Sequence, residues 1–172
     1  DEMISRCERD PKFMEFMAGE KQVIMTAEMF GAKWKIRIDS FHKDLCIVDL
    51  KTCQDIYKVF YHKDIGYVNF LGEWGYYIQG AVYQEVVRIN TGKKLPFYIA
   101  AVSKEKVPNI EIIQVEQTLL DEALTEVESN THKVLMLKNK EIEPIRCGIC
   151  DYCKHTKVLK SPVLSSDLLG ET

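Results

Sequence analysis

A charged cluster within two adjacent predicted strands limits what this chain can fold into. Residues 31–52 read GAKWKIRIDSFHKDLCIVDLKT, a pattern that predicts two β-strands joined by a short polar turn. Successive side chains of a strand point to opposite faces, so Asp49 and Lys51 lie on the same face of the second strand. If the strands pair as a hairpin, Asp39 reaches the same place. Two carboxylates and one ammonium group then converge at the edge of an apolar sheet.

The other segments predict helices and further strands around this hairpin. In chain order they are a helix within residues 1–20, a strand at 21–30, a short helix and loop at 52–73, a helix at 74–90, strands at 95–102 and 110–115, and a helix at 117–138. This order indicates an α/β or α+β fold with a mixed sheet flanked by helices. We expect a core at residues 1–143, followed by a Cys-rich segment and flexible tail at 144–172.

Composition indicates a globular protein without a membrane segment. The 172 residues are 46% hydrophobic and 28% charged, and no apolar run approaches the roughly 20 residues that a membrane helix needs. A net charge of −3 argues against a binder with a basic surface all over. Six cysteines without a signal peptide favour a reducing, cytoplasmic location. The chain begins with Asp1 rather than Met, so we expect an N-terminally truncated fragment.

The charged cluster suits phosphodiester hydrolysis. A hard cation needs oxygen ligands, which Asp39 and Asp49 supply, and Lys51 places positive charge near the attacking water or the developing charge. On spacing alone, a solvated surface ion pair is the better interpretation. Gln79 and Tyr83 stand at positions i and i+4 of the predicted helix and therefore share one face. Their place after the acid-x-Lys strand favours a catalytic site.

Taken together, these motifs resemble the PD-(D/E)XK nuclease superfamily. The resemblance is carried by G-x-x-W-K-x-R-x-D ending at Asp39, by I-V-D-L-K-T containing Asp49 and Lys51, and by Q-x-x-x-Y from Gln79 to Tyr83. Within the superfamily the likeness is to phage-type, RecE-like exonucleases of the RecB-like branch. It implies a restriction-endonuclease-like fold and 5′–3′ digestion of double-stranded DNA ends for recombination, with Mg²⁺ or Mn²⁺ as the cofactor.

The resemblance also implies roles for individual residues. Asp39, Asp49 and the Leu50 carbonyl would hold the metal, and Lys51 would position or activate the water. Gln79 and Tyr83 would support the site and contact DNA. Implied partners are double-stranded DNA with a free end, further copies of the chain in a homo-oligomer, and a single-strand-annealing recombinase.

Such nucleases usually carry one more acid or a histidine on a helix ahead of the strands. Glu15, Glu20 and Glu28 are the candidates here, and none is marked by a surrounding motif. The alternative is that this ligand precedes the fragment.

A cysteine-rich segment follows the predicted core. Cys147, Cys150 and Cys153 have the two-residue spacing that suits Zn²⁺ or an iron–sulfur cluster. His155 would close a zinc site. Cys7 would instead close a [4Fe-4S] site, an arrangement similar to nuclease relatives with one cysteine before the core and three after it. A reduced, metal-free tail is the third alternative.

Two other functions fit the same motifs. One is a non-catalytic nucleic-acid-binding module on a nuclease fold, and the other is an endonuclease or junction resolvase. Basic and aromatic side chains are available for DNA in each case, namely Lys33, Lys35, Arg37, Lys58, His62, Lys63 and Lys104 with Tyr57, Phe60 and Tyr61.

Overall fold

The structure of the chain is a computed structural model that describes residues 2–168, without the side chains of residues 167 and 168. It divides into two compact units, residues 1–135 and 136–172. The last part of the predicted flexible tail, residues 169–172, lies outside the described residues. Within the described range, no helix has the length and apolar character that crossing a bilayer requires.

The described residues of the first unit contain seven strands, of which five form one mixed sheet. The strands are β1 (Glu20–Met29), β2 (Ala32–His42), β3 (Cys46–Cys53), β4 (Phe60–His62), β5 (Gly66–Val68), β6 (Phe97–Ser103) and β7 (Ile110–Gln114). The large sheet has the order β1-β2-β3-β6-β7. Its β3 and β6 are parallel, and its other neighbours are antiparallel. This mixed sheet with flanking helices confirms the predicted restriction-endonuclease-like fold.

Helices cover both faces of the sheet. They are α1 (Glu2–Glu8), α2 (Pro11–Phe16), α3 (Phe70–Glu73), α4 (Tyr76–Thr91) and α5 (Gln117–Lys138). The larger core packs Val86 of α4 and Leu120 of α5 against Phe97 of β6. On the other face, Phe13 of α2 packs against Val48 of β3. Strand β6 is buried on both faces, as its uninterrupted apolar sequence predicts.

The N-terminal segment forms two short helices rather than the single helix that was predicted. The side chain of Asp10 accepts a hydrogen bond from the Phe13 N–H, and Pro11 occupies the first helical position. Asp as an N-cap and Pro at the first position both favour the start of a new helix. The chain therefore breaks between Glu8 and Pro11.

The prediction for residues 52–73 was wrong. In place of a short helix and loop, the structure has the hairpin of β4 and β5, followed by the four-residue α3. Gly66 adopts a left-handed backbone (φ +76°) where the hairpin turn meets β5. Each strand has only three residues, which is too short for alternation to be visible in the sequence.

The second unit contains the cysteine-rich segment. Its helix α6 spans Asp151–His155, and a 3-10 helix spans Ser165–Leu168.

Candidate active site

The ladder between β2 and β3 ends at the two predicted carboxylates. Its last pair is Ser40 with Val48, and the same register would place Asp39 directly opposite Asp49. Like charges directly opposite each other destabilise a strand pair. Oδ2 of Asp39 instead accepts a hydrogen bond from the Leu50 N–H at 2.9 Å. The side chain of Asp39 thus replaces a backbone partner where the pairing ends.

Asp49 is the buried centre of the site, with 2% of its surface exposed. Its Oδ1 accepts a hydrogen bond from Nε2 of Gln79 at 2.8 Å. Its Oδ2 lies 2.6 Å from Nζ of Lys51, yet no described residue donates a well-aligned hydrogen bond to that oxygen. Burial raises the pKa of Asp49, the Lys51 ammonium opposes this rise, and the nearby Asp39 charge adds to it.

The acceptors of this site fit a hard divalent cation. Oδ2 of Asp49 is buried and is contacted by the Lys51 ammonium without a well-aligned hydrogen bond, so this carboxylate oxygen keeps acceptor capacity for a cation. The carbonyl of a strand residue points to the same side as its N–H, so the Leu50 carbonyl is directed towards Asp39. Two carboxylates and a carbonyl are the oxygen ligands that Mg²⁺ and Mn²⁺ accept.

Lys51 is held between an acid and an aromatic ring. Its Nζ contacts Asp49 on one side and lies 4.6 Å from the ring centroid of Tyr76 on the other. The ring face attracts a cation, so the two contacts fix the ammonium group in one place. A fixed ammonium beside the carboxylates is suited to stabilising developing negative charge.

Helix α4 supplies Gln79 and Tyr83 to the same region. Tyr83 donates its hydroxyl hydrogen to the Arg37 carbonyl at 3.0 Å, while Gln79 holds Asp49. The helix approaches the sheet closely because residue 80 is glycine. A Cβ at Gly80 would lie 2.7 Å from a ring carbon of Phe97, which is closer than real Cβ contacts.

The predicted residues converge on one cavity of about 590 Å³. Asp39, Asp49, Lys51, Gln79 and Tyr83 all line it, together with Lys35 and Arg37 of β2. The cavity therefore combines acidic metal-ligand candidates with basic side chains that suit a phosphodiester.

Comparison with known proteins agrees with this arrangement. Residues 1–156 match the model of a family described as a PDDEXK-like domain of unknown function (DUF3799). The chain belongs to this PDDEXK-like family. The family assignment confirms the PD-(D/E)XK resemblance that the motifs indicate.

A solved structure is also similar to this PDDEXK-like chain. It is the crystal structure of a protein from Eubacterium rectale described as a "putative exonuclease", with 53% sequence identity and a TM-score of 0.90. The alignment covers 99% of this chain and 64% of that one, so the chain spans less than two thirds of that relative. No curated protein matches. The family and this neighbour support a nuclease.

Sequence reasoning missed Gln22 of this PDDEXK-like domain. Nε2 of Gln22 donates a hydrogen bond to Oδ1 of Asp39 at 2.9 Å, although its own backbone is left-handed (φ 55°). Successive side chains of a regular strand face opposite sides, so Ile38 and Phe41, three positions apart in β2, should face opposite sides of the sheet. Both nevertheless belong to the larger core. The alternation of β2 therefore shifts by one residue between them, across from Gln22. Only the β1–β2 register, which places Gln22 opposite Asp39, would have pointed to this residue.

The acids proposed as upstream ligands lie away from the cavity. Glu15 pairs with Lys12 at 3.0 Å on the surface of α2, and Glu28 lies 3.9 Å from Lys33. Glu20 is exposed at the start of β1, opposite Phe41. None of the three glutamates lines the cavity.

In the second unit, Cys147, Cys150 and Cys153 form a cluster. Their Sγ atoms lie within 4.8 Å of one another. The Cys150 N–H donates to Sγ of Cys147 at 3.3 Å, and this bond, with help from the Ile149 N–H, lowers the pKa of Cys147 to about 7. Thiolates are the sulfur form that binds metals, so the cluster suits a thiophilic ion.

The two candidates for a fourth ligand are placed differently. His155 lies at the end of α6. Among the described residues, the group whose ligand atoms all lie within 4.8 Å of one another contains the three cysteines and not His155. Cys7 belongs to α1 in the first unit, where it packs on the core around Phe13. All six cysteines are free thiols in the structure.

Proposed function

We propose that this chain is a Mg²⁺- or Mn²⁺-dependent deoxyribonuclease that digests double-stranded DNA from its ends. The observation that supports it most is the environment of Asp49. Gln79 orients one oxygen of this buried carboxylate, and the Lys51 ammonium lies 2.6 Å from the other. A buried carboxylate whose oxygens keep lone pairs for a cation, beside a fixed ammonium group, is an arrangement suited to a metal and a phosphate.

Each residue of the site has a defined task in this mechanism. Asp39, Asp49 and the Leu50 carbonyl would hold the cation, which polarises the phosphodiester and lowers the pKa of the attacking water. Lys51 orients that water and stabilises the charge that develops on the phosphate. Gln79 keeps Asp49 in its rotamer, and Tyr83 fastens α4 to β2 through the Arg37 carbonyl. Lys35 and Arg37 attract the DNA backbone.

The choice of an exonuclease rests on two supports. The motifs resemble RecE-like enzymes, and the similar protein from Eubacterium rectale is described as a "putative exonuclease". The same resemblance supports a role in recombination together with a single-strand-annealing recombinase, and a homo-oligomer around DNA. These partners stay predictions.

Digestion of linear and circular DNA of one sequence tests the proposal. With Mg²⁺, the protein should degrade the linear duplex and leave the covalently closed circle intact. Cutting of the circle would show an endonuclease or resolvase. Binding without cleavage of either substrate would show a non-catalytic nucleic-acid-binding module.

We also propose that the three clustered cysteines bind a metal. The short Sγ separations and the lowered pKa of Cys147 support a thiolate site for zinc or a [4Fe-4S] cluster. Anaerobically purified protein should contain stoichiometric zinc or show the visible absorbance of an iron–sulfur cluster. Cys150→Ser should remove the metal, whereas Cys46→Ser, in β3, should retain it. Protein that binds neither metal would contradict the proposal.

The fourth ligand can be identified in the same experiment. Loss of zinc from His155→Ala with retention in Cys7→Ser would assign His155. The reverse pattern, with loss of visible absorbance in Cys7→Ser, would assign Cys7 to an iron–sulfur cluster.

A further inference from the structure

A second cavity, of about 280 Å³, adjoins the candidate active site at the first turn of α4. Tyr76 connects the two cavities, because its ring lines the second one and lies 4.6 Å from Nζ of Lys51, which lines the first. Thr52 and Cys53, which directly follow Lys51 in β3, also line the second cavity. The second cavity is thus next to the place where Lys51 would meet a phosphate.

The wall of the second cavity is rich in aromatic rings. Phe60, Trp74 and Tyr76 line it, and Trp74 is 63% exposed. Large aromatic side chains that are exposed beside a basic groove are characteristic stacking surfaces for unpaired bases. Trp74 is anchored through its backbone, whose N–H donates a hydrogen bond to the Phe70 carbonyl at 3.2 Å. It follows α3, whose Glu73 contacts Nε2 of His62 at 2.5 Å and so ties the β4–β5 hairpin to this helix.

The rim of the second cavity is positively charged. Lys58 donates a hydrogen bond to the Gln54 amide oxygen and lies 5.0 Å from the ring centroid of Phe60. Lys104 forms no ion pair with any described acid, so its charge is available to a ligand. Asp55 is the acidic residue of this lining, and its carboxylate accepts a hydrogen bond from the Tyr57 N–H. Two ammonium groups and one carboxylate give the cavity a net positive charge, although the chain as a whole carries −3.

We infer that the second cavity binds one unpaired nucleotide of the DNA strand, adjacent to the phosphate that is cut. This inference rests on the proposed function for the identity of the strand. The base would stack on Trp74 or Tyr76, and Lys58 and Lys104 would neutralise the phosphate. Small-molecule sites span roughly 300–1,000 Å³, and this cavity lies just below that range, so it suits one nucleotide rather than a base pair. The enzyme would then act on frayed or unpaired ends.

Binding measurements on a cleavage-deficient protein test this inference. In a Lys51→Ala background, we compare a blunt duplex with G·C-rich ends and the same duplex carrying a short single-stranded extension. Adding Trp74→Ala should weaken binding of the extended duplex about tenfold, because stacking on one aromatic ring is lost. The blunt duplex should bind as before. Trp74→Phe should preserve most of the affinity.

Matched variants separate this cavity from general surface effects. Tyr57 is 67% exposed, lies outside the second cavity, and Tyr57→Ala should bind both duplexes as the parent does. Lys104→Ala should weaken binding of the extended duplex, whereas Lys106→Ala, which removes a nearby cation outside the cavity, should not. Equal losses for both duplexes in Trp74→Ala, or no loss for either, would overturn the inference.

Fluorescence gives an independent readout. The chain has two tryptophans. The indole N–H of Trp34 donates a hydrogen bond to the Met29 carbonyl. An oligothymidylate should quench the emission of the parent and not that of Trp74→Phe.

The two proposals can fail separately. If the parent cleaves no DNA while Trp74→Ala still weakens binding of the extended duplex selectively, the nuclease proposal fails and the subsite stands. If cleavage is normal and no selective loss occurs, the subsite fails and the nuclease proposal stands.

Discussion

Nε2 of Gln22 lies 2.9 Å from Oδ1 of Asp39 and donates a hydrogen bond to it from a left-handed residue of an edge strand. Residues other than glycine adopt this backbone at a cost, which is tolerated where the surrounding structure or the function requires it. The second carboxylate oxygen of Asp39 accepts the Leu50 N–H. Asp39 is thus oriented from both sides, by a side chain of β1 and by the backbone of β3.

Replacing Gln22 with glycine separates its role in the site from its role in stability. Gln22→Gly removes the amide that orients Asp39, so we expect cleavage to fall about tenfold, as for other residues that orient metal ligands. The melting temperature should be unchanged or higher, since glycine adopts the left-handed backbone freely. Steady-state cleavage across a Mg²⁺ titration and thermal unfolding measure the two effects. Normal cleavage by a stable Gln22→Gly protein would show that the amide does not position Asp39.

Lys51→Ala should abolish cleavage while the fold is retained. Among the described residues, the Lys51 ammonium is the cation paired with Asp49, and loss of such a transition-state contact typically costs about 10²–10³-fold in rate. Lys33→Ala is the matched control. Lys33 is exposed, and its ion pair with Glu28, at 3.9 Å, is a surface pair worth less than about 1 kcal/mol. Single-turnover cleavage and circular dichroism check the result. A Lys51→Ala protein that cleaves like the parent would refute the site.

Mg²⁺ should stabilise the protein against heat through Asp49. A ligand at about 100 times its dissociation constant stabilises the native state by about 2.7 kcal/mol, which raises the melting temperature by several degrees. Asp49→Asn should lose most of this rise. Asp44→Asn, which removes a surface acid paired with Lys93, should keep it. Mg²⁺ is chosen because the cysteine cluster prefers softer ions. An equal rise in Asp49→Asn would place the cation elsewhere.

Gly80→Ala should destabilise the protein despite the better helix propensity of alanine. The added Cβ would meet Phe97 at 2.7 Å and Leu120 at 2.9 Å, and overpacking of a core costs about 1–3 kcal/mol against a propensity gain of about 1 kcal/mol. If α4 moves outward to relieve the contact, Gln79 also moves away from Asp49 and cleavage falls. Urea unfolding measures the first effect and a cleavage assay the second.

The control for this variant is Gly72→Ala in α3. A Cβ at Gly72 would have its nearest neighbour at 3.4 Å, an ordinary contact, so stability should change little. A Gly80→Ala protein more stable than the parent would show that the packing between α4 and the sheet adapts readily.

The sequence predicted the parts of the fold and site that depend on local pattern. The spacing of Asp49 and Lys51 within one strand, and of Gln79 and Tyr83 within one helix, placed each pair correctly because strand and helix periods are fixed. The continuous apolar run of β6 likewise indicated a buried strand. These features need no knowledge of the rest of the chain.

Features that depend on contacts between distant segments were not visible in the sequence. The hairpin of β4 and β5 is stabilised by contacts such as His62 with Glu73, while its own strands are too short to show a period. The side-chain alternation of β2 shifts between Ile38 and Phe41, opposite the left-handed Gln22 on the neighbouring strand. Both depend on pairing partners that spacing within one segment does not identify.

At position 49, the buried carboxylate that the proposed reaction needs also lowers the stability of the protein. A charged carboxylate that is 2% exposed weakens the native state even beside the Lys51 ammonium, as its pKa, raised by burial, reflects. Selection for thermal stability alone, in the absence of a divalent cation, would therefore favour neutral residues at position 49. Retention of aspartate there would be a sign that natural selection acts on the nuclease reaction, so stabilised variants made in the laboratory should be selected with the cation and DNA present.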